Sequence, residues 1–259
     1  MGKRVDFEIR DKVAYLTFNR PEKRNAIDDV AVAELDGFFA EADADQSVRA
    51  IVFRGEGTAF SAGADLDYLQ MLARNSSTAN LDDSCALKDF LLGVYRSRKL
   101  TCAVVRGPAL AGAFGLTLAC DVILASEKAR FGFTEVKIGF VPAVVLNFAL
   151  RKLRESDVRE LALTGKIIDA AEAVRIGLFS SVVPDEEIAR RAEQFLGNFV
   201  SGTSSKAVAL TKDVLSGITE MGLEEALKYS SAVNVIARST DDFGKGVRSF
   251  LNKEKLEWE

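Results

Sequence analysis

The chain has 259 residues, of which 48% are hydrophobic and 28% charged, and it carries a net charge of −4 at pH 7. This composition is typical of a soluble globular protein and excludes the disordered, collagen-like and disulfide-scaffold classes. The slightly acidic balance offers no general attraction to nucleic acid or to anionic membranes, so neither is an expected partner. The sequence contains no histidine, which excludes serine–histidine–acid triads, cysteine–histidine pairs and histidine-ligated metal sites. Acid–base chemistry must therefore use carboxylates, lysine, tyrosine or the backbone.

The cysteines and the first residues of the chain indicate the cellular compartment. Cys85, Cys102 and Cys120 are too scattered for a metal-binding or redox pair, so we expect them to be reduced. The first six residues lead into a strand pattern without a signal-like apolar segment, and nowhere are 18 consecutive residues apolar. We therefore expect a cytoplasmic protein with no metal site.

Alternating apolar and polar residues open the chain. They predict a β-hairpin formed by Val5–Arg10 and 13–19 around the pair Asp11-Lys12. A helix capped by Asp28 should follow, because an apolar stripe then recurs at helical spacing, in Val32, Leu35, Phe38 and Phe39. Residues 50–54, AIVFR, begin with four apolar residues and predict the next strand.

The stretch from Leu72 to Ser84 is rich in small polar residues. It contains the run 75–80, NSSTAN, and few apolar side chains that could pack. We expect an irregular, mobile surface segment here, which could act as a lid over a site.

Strands then alternate with helices before a helical tail. A helix through Leu87, Phe90, Leu91 and Val94 should lead to strands at 102–105 and 121–125. From about residue 186 only the helical period remains. The sequence predicts an α/β body to about residue 200 and a tail of roughly 60 residues, too small to form its own core, that docks on the body or on a partner subunit.

Two segments of small residues are candidates for binding an anion or a developing oxyanion. One is 59–66, AFSAGADL, and the other is 107–115, GPALAGAFG, each at a turn into a predicted helix. Such turns leave backbone N–H groups without acceptors, and small side chains let a ligand approach them. Tight packing of the turn is the alternative explanation for each segment.

A third segment, 129–139, places the single carboxylate of Glu135 among aromatic and aliphatic residues. Burial would raise the pKa of this carboxyl and suit it to general-base catalysis. The alternative is a salt bridge between Glu135 and a nearby lysine or arginine.

Taken in order along the whole chain, these segments resemble the crotonase superfamily, the enoyl-CoA hydratases and isomerases. The resemblance includes the opening motif Asn19-Arg20-Pro21 with Asn25-Ala26, the three segments above, and Phe250 with Lys253 near the end. It implies an α/β fold, a crotonase-like superhelix of β-β-α repeats with a C-terminal helical trimerisation region. On that basis residues 1–200 form the acyl-CoA-binding core and residues 201–259 the helical oligomerisation region of a homotrimer or hexamer.

The resemblance also implies roles for individual residues. Ala64 and Gly112 match the positions whose backbone N–H groups bind the thioester oxygen, and Glu135 matches a catalytic glutamate. No cofactor is implied beyond the CoA or acyl-carrier thioester of the substrate itself. The residues expected along the substrate and its CoA are Lys23, Arg24, Ala26, Ala62, Asp65, Leu66, Thr134, Phe250 and Lys253.

One departure from the family pattern bears on the chemistry. Typical hydratases carry two glutamates, but the first falls at Gly115 here, and the glycine-rich stretch after the second is replaced by residues 142–147, PAVVLN. The remaining pattern is similar to members that hydrate β-branched thioesters, such as methylglutaconyl-CoA hydratase-like proteins. We therefore favour reversible hydration of an α,β-unsaturated acyl-CoA. A double-bond isomerase, a non-catalytic acyl-CoA-binding protein and a thioester hydrolase remain alternatives.

Overall fold

The computed structural model describes residues 3–256 and residue 258. Within that part of the chain nine strands are present: β1 (Val5–Arg10), β2 (Val13–Phe18), β3 (Ala50–Gly55), β4 (Leu100–Val105), β5 (Pro108–Leu110), β6 (Val122–Ser126), β7 (Arg130–Gly132), β8 (Ile168–Asp169) and β9 (Val182–Val183). The same residues form eleven α-helices: α1 (Asp29–Ala44), α2 (Leu66–Leu72), α3 (Ser77–Arg96), α4 (Gly112–Ala119), α5 (Ala143–Lys152), α6 (Glu155–Thr164), α7 (Ala170–Arg175), α8 (Ile188–Gly202), α9 (Ser205–Gly217), α10 (Leu223–Arg238) and α11 (Asp241–Asn252).

The larger sheet has six strands in the order β1-β2-β3-β4-β6-β9. The first pair is antiparallel and the others are parallel, which confirms the predicted hairpin. Asp11 and Lys12 adopt φ values of 52° and 65°, the left-handed conformations that a two-residue hairpin turn requires. The helix after the hairpin also begins as predicted, because the Asp28 carboxylate accepts a hydrogen bond from the Ala31 N–H at 2.9 Å.

Both faces of this sheet are covered. In β2, Ala14 and Leu16 face one hydrophobic core, whereas Val13 and Tyr15 face a second core on the opposite side. The second core is closed by the apolar stripe of α8, formed by Ile188, Ala192 and Leu196. Strands buried on both faces are typical of a parallel sheet inside an α/β body.

A second, smaller layer consists of β5, β7 and β8 in that order. Two isolated bridges extend it, one between Ser61 and Ala109 and the other between Ile27 and Ala64. This layer therefore brings together five separate parts of the chain, including both small-residue segments singled out in the sequence.

The helical tail is confirmed within the described residues, and much of it is open to solvent. Helix α10 has no buried residue, and in α11 only Ser249 is buried. Residue 200, where the sequence places the end of the body, lies inside α8, so the division into residues 1–200 and 201–259 stays a prediction. No helix among the described residues is long and apolar enough to cross a membrane.

The prediction of an irregular segment from Leu72 to Ser84 is wrong for most of that length. Helix α3 begins at Ser77, and the hydroxyl of Ser76 caps it by accepting from the Ala79 N–H at 3.2 Å. A helix with one face in solvent tolerates polar residues on that face, and the second half of α3 supplies the buried contacts. The sequence pattern was misleading because the first turns of this helix have little to bury.

Candidate active site

The first small-residue segment lies beside residues 24–27 and pairs with them through an isolated parallel bridge between Ala64 and Ile27. The Ile27 N–H donates to the Gly63 carbonyl and the Asp65 N–H donates to the Ile27 carbonyl, both at 2.8 Å. Backbone groups of successive residues in an extended chain point to opposite sides, so the N–H of Ala64 faces away from Ile27. Ala64 is exposed. Its N–H is therefore available to a ligand on that side.

The second segment pairs with the first. The Ser61 N–H donates to the Pro108 carbonyl at 3.0 Å, and the Leu110 N–H donates back to the Ser61 carbonyl at 3.1 Å. Gly63, with φ of 94°, lies so near this segment that an added Cβ would stand 3.0 Å from the Cβ of Ala111. The two segments are thus parallel neighbours, joined by the bridge between Ser61 and Ala109.

Helix α4 begins at Gly112, directly after the second segment. Ala111 adopts a left-handed φ of 53° and makes no side-chain capping bond. The first N–H of an α-helix has no intrahelical acceptor, so the Gly112 N–H also points outward from the helix start. The structure therefore presents two outward-facing N–H groups, at Ala64 and Gly112, on neighbouring segments.

The segment that leads to Glu135 packs against helix α4. The ring of Phe133, two residues earlier, packs at 4.7 Å from the ring of Phe114 in this helix. Glu135 then opens a short 3-10 helix with its side chain buried, and only 7% of the residue is exposed. Thr134, the residue before it, is half-buried and makes no side-chain capping bond.

The carboxylate of Glu135 is buried without a cation. Its Oε2 atom has no hydrogen-bond partner, and none of the ion pairs among the described residues includes it. Burial raises the pKa of Glu135, and its own backbone N–H offsets this only in part. The salt bridge that the sequence left open as an alternative is absent from the described contacts. A buried carboxylate with a free oxygen is chemically a proton acceptor.

Gly115 has no room for a side chain. A Cβ at this position would lie 2.0 Å from Cγ1 of Val145, which is itself buried in α5. Gly115 is three residues after Gly112, so the two share one face of α4. The segment that replaces the glycine-rich stretch therefore packs an aliphatic side chain against this face.

Six predicted binding residues lie in or beside the first small-residue segment: Lys23, Arg24, Ala26, Ala62, Asp65 and Leu66. Lys23 pairs with Asp65 at 3.2 Å, and the Ala62 N–H donates to the Arg24 carbonyl at 2.9 Å. Leu66 is 71% exposed at the start of α2. The structure therefore brings these six together with Ala64.

Phe250 and Lys253 lie on the helical tail instead. Phe250 is 84% exposed and lines a cavity of about 400 Å³ between helices of the tail, and Lys253 ends α11 in a left-handed conformation. No hydrogen bond or ion pair between described residues joins either of them to the two small-residue segments. Phe250 and Lys253 therefore lie on a different element from the other predicted site residues.

Sequence reasoning missed two residues at the site. Val145 was noted only as part of an altered stretch, and nothing in its type indicated that it packs on Gly115. Arg20 belongs to the opening motif, but its side chain is buried and bridges two aspartates. An arginine beside a proline and near several acidic residues was the available signal for this role. No group of three or more metal-ligating side chains occurs among residues 3–256 and 258.

The layered body with its helical tail is the crotonase fold. A crystal structure of a provisionally named enoyl-CoA hydratase/isomerase (crotonase) from Legionella pneumophila superposes with a TM-score of 0.90 at 34% identity, covering 98% of both chains. The chain belongs to the enoyl-CoA hydratase/isomerase family, whose model matches residues 8–259. It is therefore an enzyme of the hydratase/isomerase class that acts on acyl-CoA.

Relatives with curated names agree with this membership. A provisionally named enoyl-CoA hydratase of Thermus thermophilus is 37% identical over 241 residues, which cover 93% of this chain and 95% of the relative. An (E)-benzylidenesuccinyl-CoA hydratase of Thauera aromatica is 30% identical over 248 residues, covering 95% of each.

Proposed function

We propose that the protein catalyses the reversible addition of water to an α,β-unsaturated acyl-CoA, with Glu135 as its only acid–base group. The observation that carries this proposal is the buried Glu135 carboxylate, which has a free oxygen and no cation partner. The names of the two curated relatives favour hydration over other reactions of the family.

The proposed reaction needs one carboxylate and two N–H donors. The Glu135 carboxylate takes a proton from water as the water oxygen bonds to C3 of the substrate. The π electrons of the C2–C3 double bond move toward the thioester, whose oxygen becomes an enolate held by the N–H groups of Ala64 and Gly112. Each donor is expected to stabilise that oxyanion by about 3 kcal/mol. The protonated Glu135 then returns its proton to C2, so that only water is consumed.

The substrate-binding residues follow from the same arrangement. In this proposal Lys23, Arg24 and Asp65 bind the CoA chain beside Ala64, and Ala26, Ala62, Leu66 and Thr134 contact other parts of the substrate. Phe250 and Lys253 would reach the CoA only from a second copy of the chain. The exposed apolar faces of α10 and α11 support such a homotrimer or hexamer, in which residues 201–259 form the interface and residues 1–200 bind the acyl-CoA. An acyl-carrier thioester would fit the same donors.

Double-bond isomerisation is the second candidate, because Val145 occupies the space beside Gly115 where a second carboxylate would be attached. A single glutamate suits a proton shift in which the same group removes a proton from one carbon and returns it two carbons away. This reaction would use the same oxyanion donors and would consume no water.

NMR assays in deuterated water separate these candidates. Wild-type protein is offered crotonyl-CoA, 3-methylglutaconyl-CoA and a 3-enoyl-CoA, with Glu135→Gln as the test variant and the exposed Glu127→Gln as its matched control. We expect a 3-hydroxyacyl product that Glu127→Gln still forms and Glu135→Gln does not. Double-bond migration without hydration would establish the isomerase instead, and binding without any turnover would reject both enzymatic proposals.

A further inference from the structure

Arg20 is a buried cation that spans two carboxylates. Only 7% of the residue is exposed. Its Nη1 donates to Asp28 at 2.9 Å and its Nη2 donates to Asp65 at 2.9 Å. The remaining nitrogen, Nε, has no hydrogen-bond partner among the described residues, so the side chain is attached through its two Nη groups.

The two carboxylates hold different parts of the molecule. Asp28 caps α1, which belongs to the body. Asp65 caps α2 by accepting from the Asp67 N–H at 2.9 Å, and it follows directly after Ala64. Arg20 therefore connects helix α1 of the body to Asp65, the residue that follows Ala64. Ala64 carries one of the two outward-facing N–H groups.

Asp65 is a buried carboxylate, and Arg20 is one of its three hydrogen-bond donors among the described residues. Its side chain is 6% exposed, and a buried carboxylate without partners is strongly unfavourable. Burial acts to raise the pKa of Asp65, but hydrogen bonds from Lys23, from the Asp67 N–H and from Arg20 outweigh it and keep the pKa below its usual value. Lys23 is half exposed, whereas Arg20 is the buried cation among these donors.

We infer that Arg20 is a positioning residue for the oxyanion donor: by fixing Asp65 against Asp28, it sets the direction of the Ala64 N–H. The inference rests on the role proposed above for Ala64. Lysine cannot replace arginine here, because one ammonium group cannot span two carboxylates with a planar pair of donors. A small misdirection of the N–H weakens its bond to a developing oxyanion more than it weakens ground-state binding.

The test compares Arg20→Lys with Arg4→Lys. Arg4 donates to the same Asp28 carboxylate at 3.0 Å, so Arg4→Lys controls for loosening of α1. Infrared difference spectra of bound butyryl-CoA, labelled with 13C at the thioester carbonyl, report the hydrogen bonds on that oxygen. Steady-state kinetics and the butyryl-CoA Kd are measured on the same proteins.

We expect wild type, Arg4→Lys and Glu135→Gln to lower the bound carbonyl frequency equally relative to free butyryl-CoA. Arg20→Lys should move the frequency back toward the free value, with kcat reduced about ten- to a hundredfold. The Kd should stay within about threefold, because ground-state contacts are retained.

The possible failures are distinguishable. If wild type does not lower the carbonyl frequency, the proposed oxyanion site is wrong, and the role of Arg20 is rejected with it. If wild type lowers it and Arg20→Lys does so to the same extent, the oxyanion site stands and the inference about Arg20 is overturned. If Arg20→Lys does not fold, Asp65→Asn is used in its place. Asparagine can still cap α2, but it removes the negative charge that Arg20 contacts. An unchanged frequency in that variant would also overturn the inference.

Discussion

Two buried carboxylates in this molecule have opposite surroundings. Glu135 and Asp185 are each 7% exposed, so they are equally removed from water. Asp185 accepts two hydrogen bonds from Arg106, at 3.1 and 2.8 Å, and a third from Lys128 at 2.9 Å. Glu135 has no cation partner and one unpaired oxygen.

The pKa values diverge accordingly. The guanidinium of Arg106, aided by Lys128, holds the pKa of Asp185 well below its usual range, despite the opposing effect of burial. Burial acts without such compensation on Glu135 and raises its pKa. Burial alone thus does not make a carboxylate reactive. A carboxylate tied to cations keeps its charge and holds structure, whereas one without them can exchange a proton.

The largest expected contrast is in turnover. Glu135→Gln should reduce kcat by about 10²- to 10⁴-fold, the usual contribution of a general acid–base group. Asp185→Asn should leave kcat unchanged when it is calculated per folded protein molecule. Steady-state assays on both variants check this, and equal losses in the two would mean that Glu135 is structural like Asp185.

The next prediction concerns Gly115, the position where a second carboxylate would be attached. Gly115→Ala should destabilise the protein by about 1–3 kcal/mol, since the new Cβ would overlap Val145. Urea unfolding of Gly115→Ala, Val145→Ala and the double variant measures the coupling. We expect the double variant to lose less unfolding free energy than the two single variants lose together. Losses that simply add would contradict the overlap.

Asp185→Asn addresses the structural carboxylate directly. We expect a loss of about 1–2 kcal/mol in the free energy of unfolding, because Arg106 and Lys128 lose a charged acceptor but remain partly exposed. Denaturant titration at neutral pH measures it. Glu127→Gln, on the surface, serves as the control and should change stability little.

The smallest effects are in pH dependence, and they should have opposite signs. The folded state holds a proton on Glu135 more tightly than the unfolded state, so wild-type stability falls as pH rises from the ordinary glutamate pKa through the raised one. Glu135→Gln should gain stability over wild type in that window. For Asp185 the folded pKa is lowered, so the advantage of wild type over Asp185→Asn should shrink on acidification. The stability difference between wild type and each variant, measured against pH, checks both signs. Differences that change in the same direction with pH for Glu135→Gln and Asp185→Asn would contradict the contrast between the two carboxylates.

Activity should follow the same carboxyl. Glu135 must be ionised to accept a proton from water, and its pKa is raised by burial. The rate should therefore decline on acidification at a higher pH than an ordinary glutamate would allow, as a profile of kcat/KM against pH would show.

The sequence predicted the parts of the fold that depend on neighbouring residues. The hairpin at Asp11-Lys12, the helix cap at Asp28 and the helix start at Gly112 all carry local signals in residue type and periodicity. It also identified both small-residue segments and Glu135 as candidates. The roles assigned to these residues remain predictions.

The features it missed depend on distant partners. Arg20 meets Asp65 across 45 positions, and no local pattern shows that this arginine is buried. Gly115 meets Val145 through the packing of α4 on α5, which residue types alone do not specify. Likewise, the choice between a salt bridge and a free carboxylate at Glu135 was open in the sequence, because it depends on which cations the fold brings near.

The contact between Gly115 and Val145 also constrains how this protein can change. A two-glutamate site at this place would need a side chain at position 115, but any side chain there first collides with Val145. The substitutions would have to come in order, with residue 145 becoming smaller before residue 115 becomes larger, and the first step alone would offer no new chemistry. A single substitution that adds a carboxylate at position 115 must therefore displace Val145 and costs stability, so this pair of residues disfavours a second glutamate.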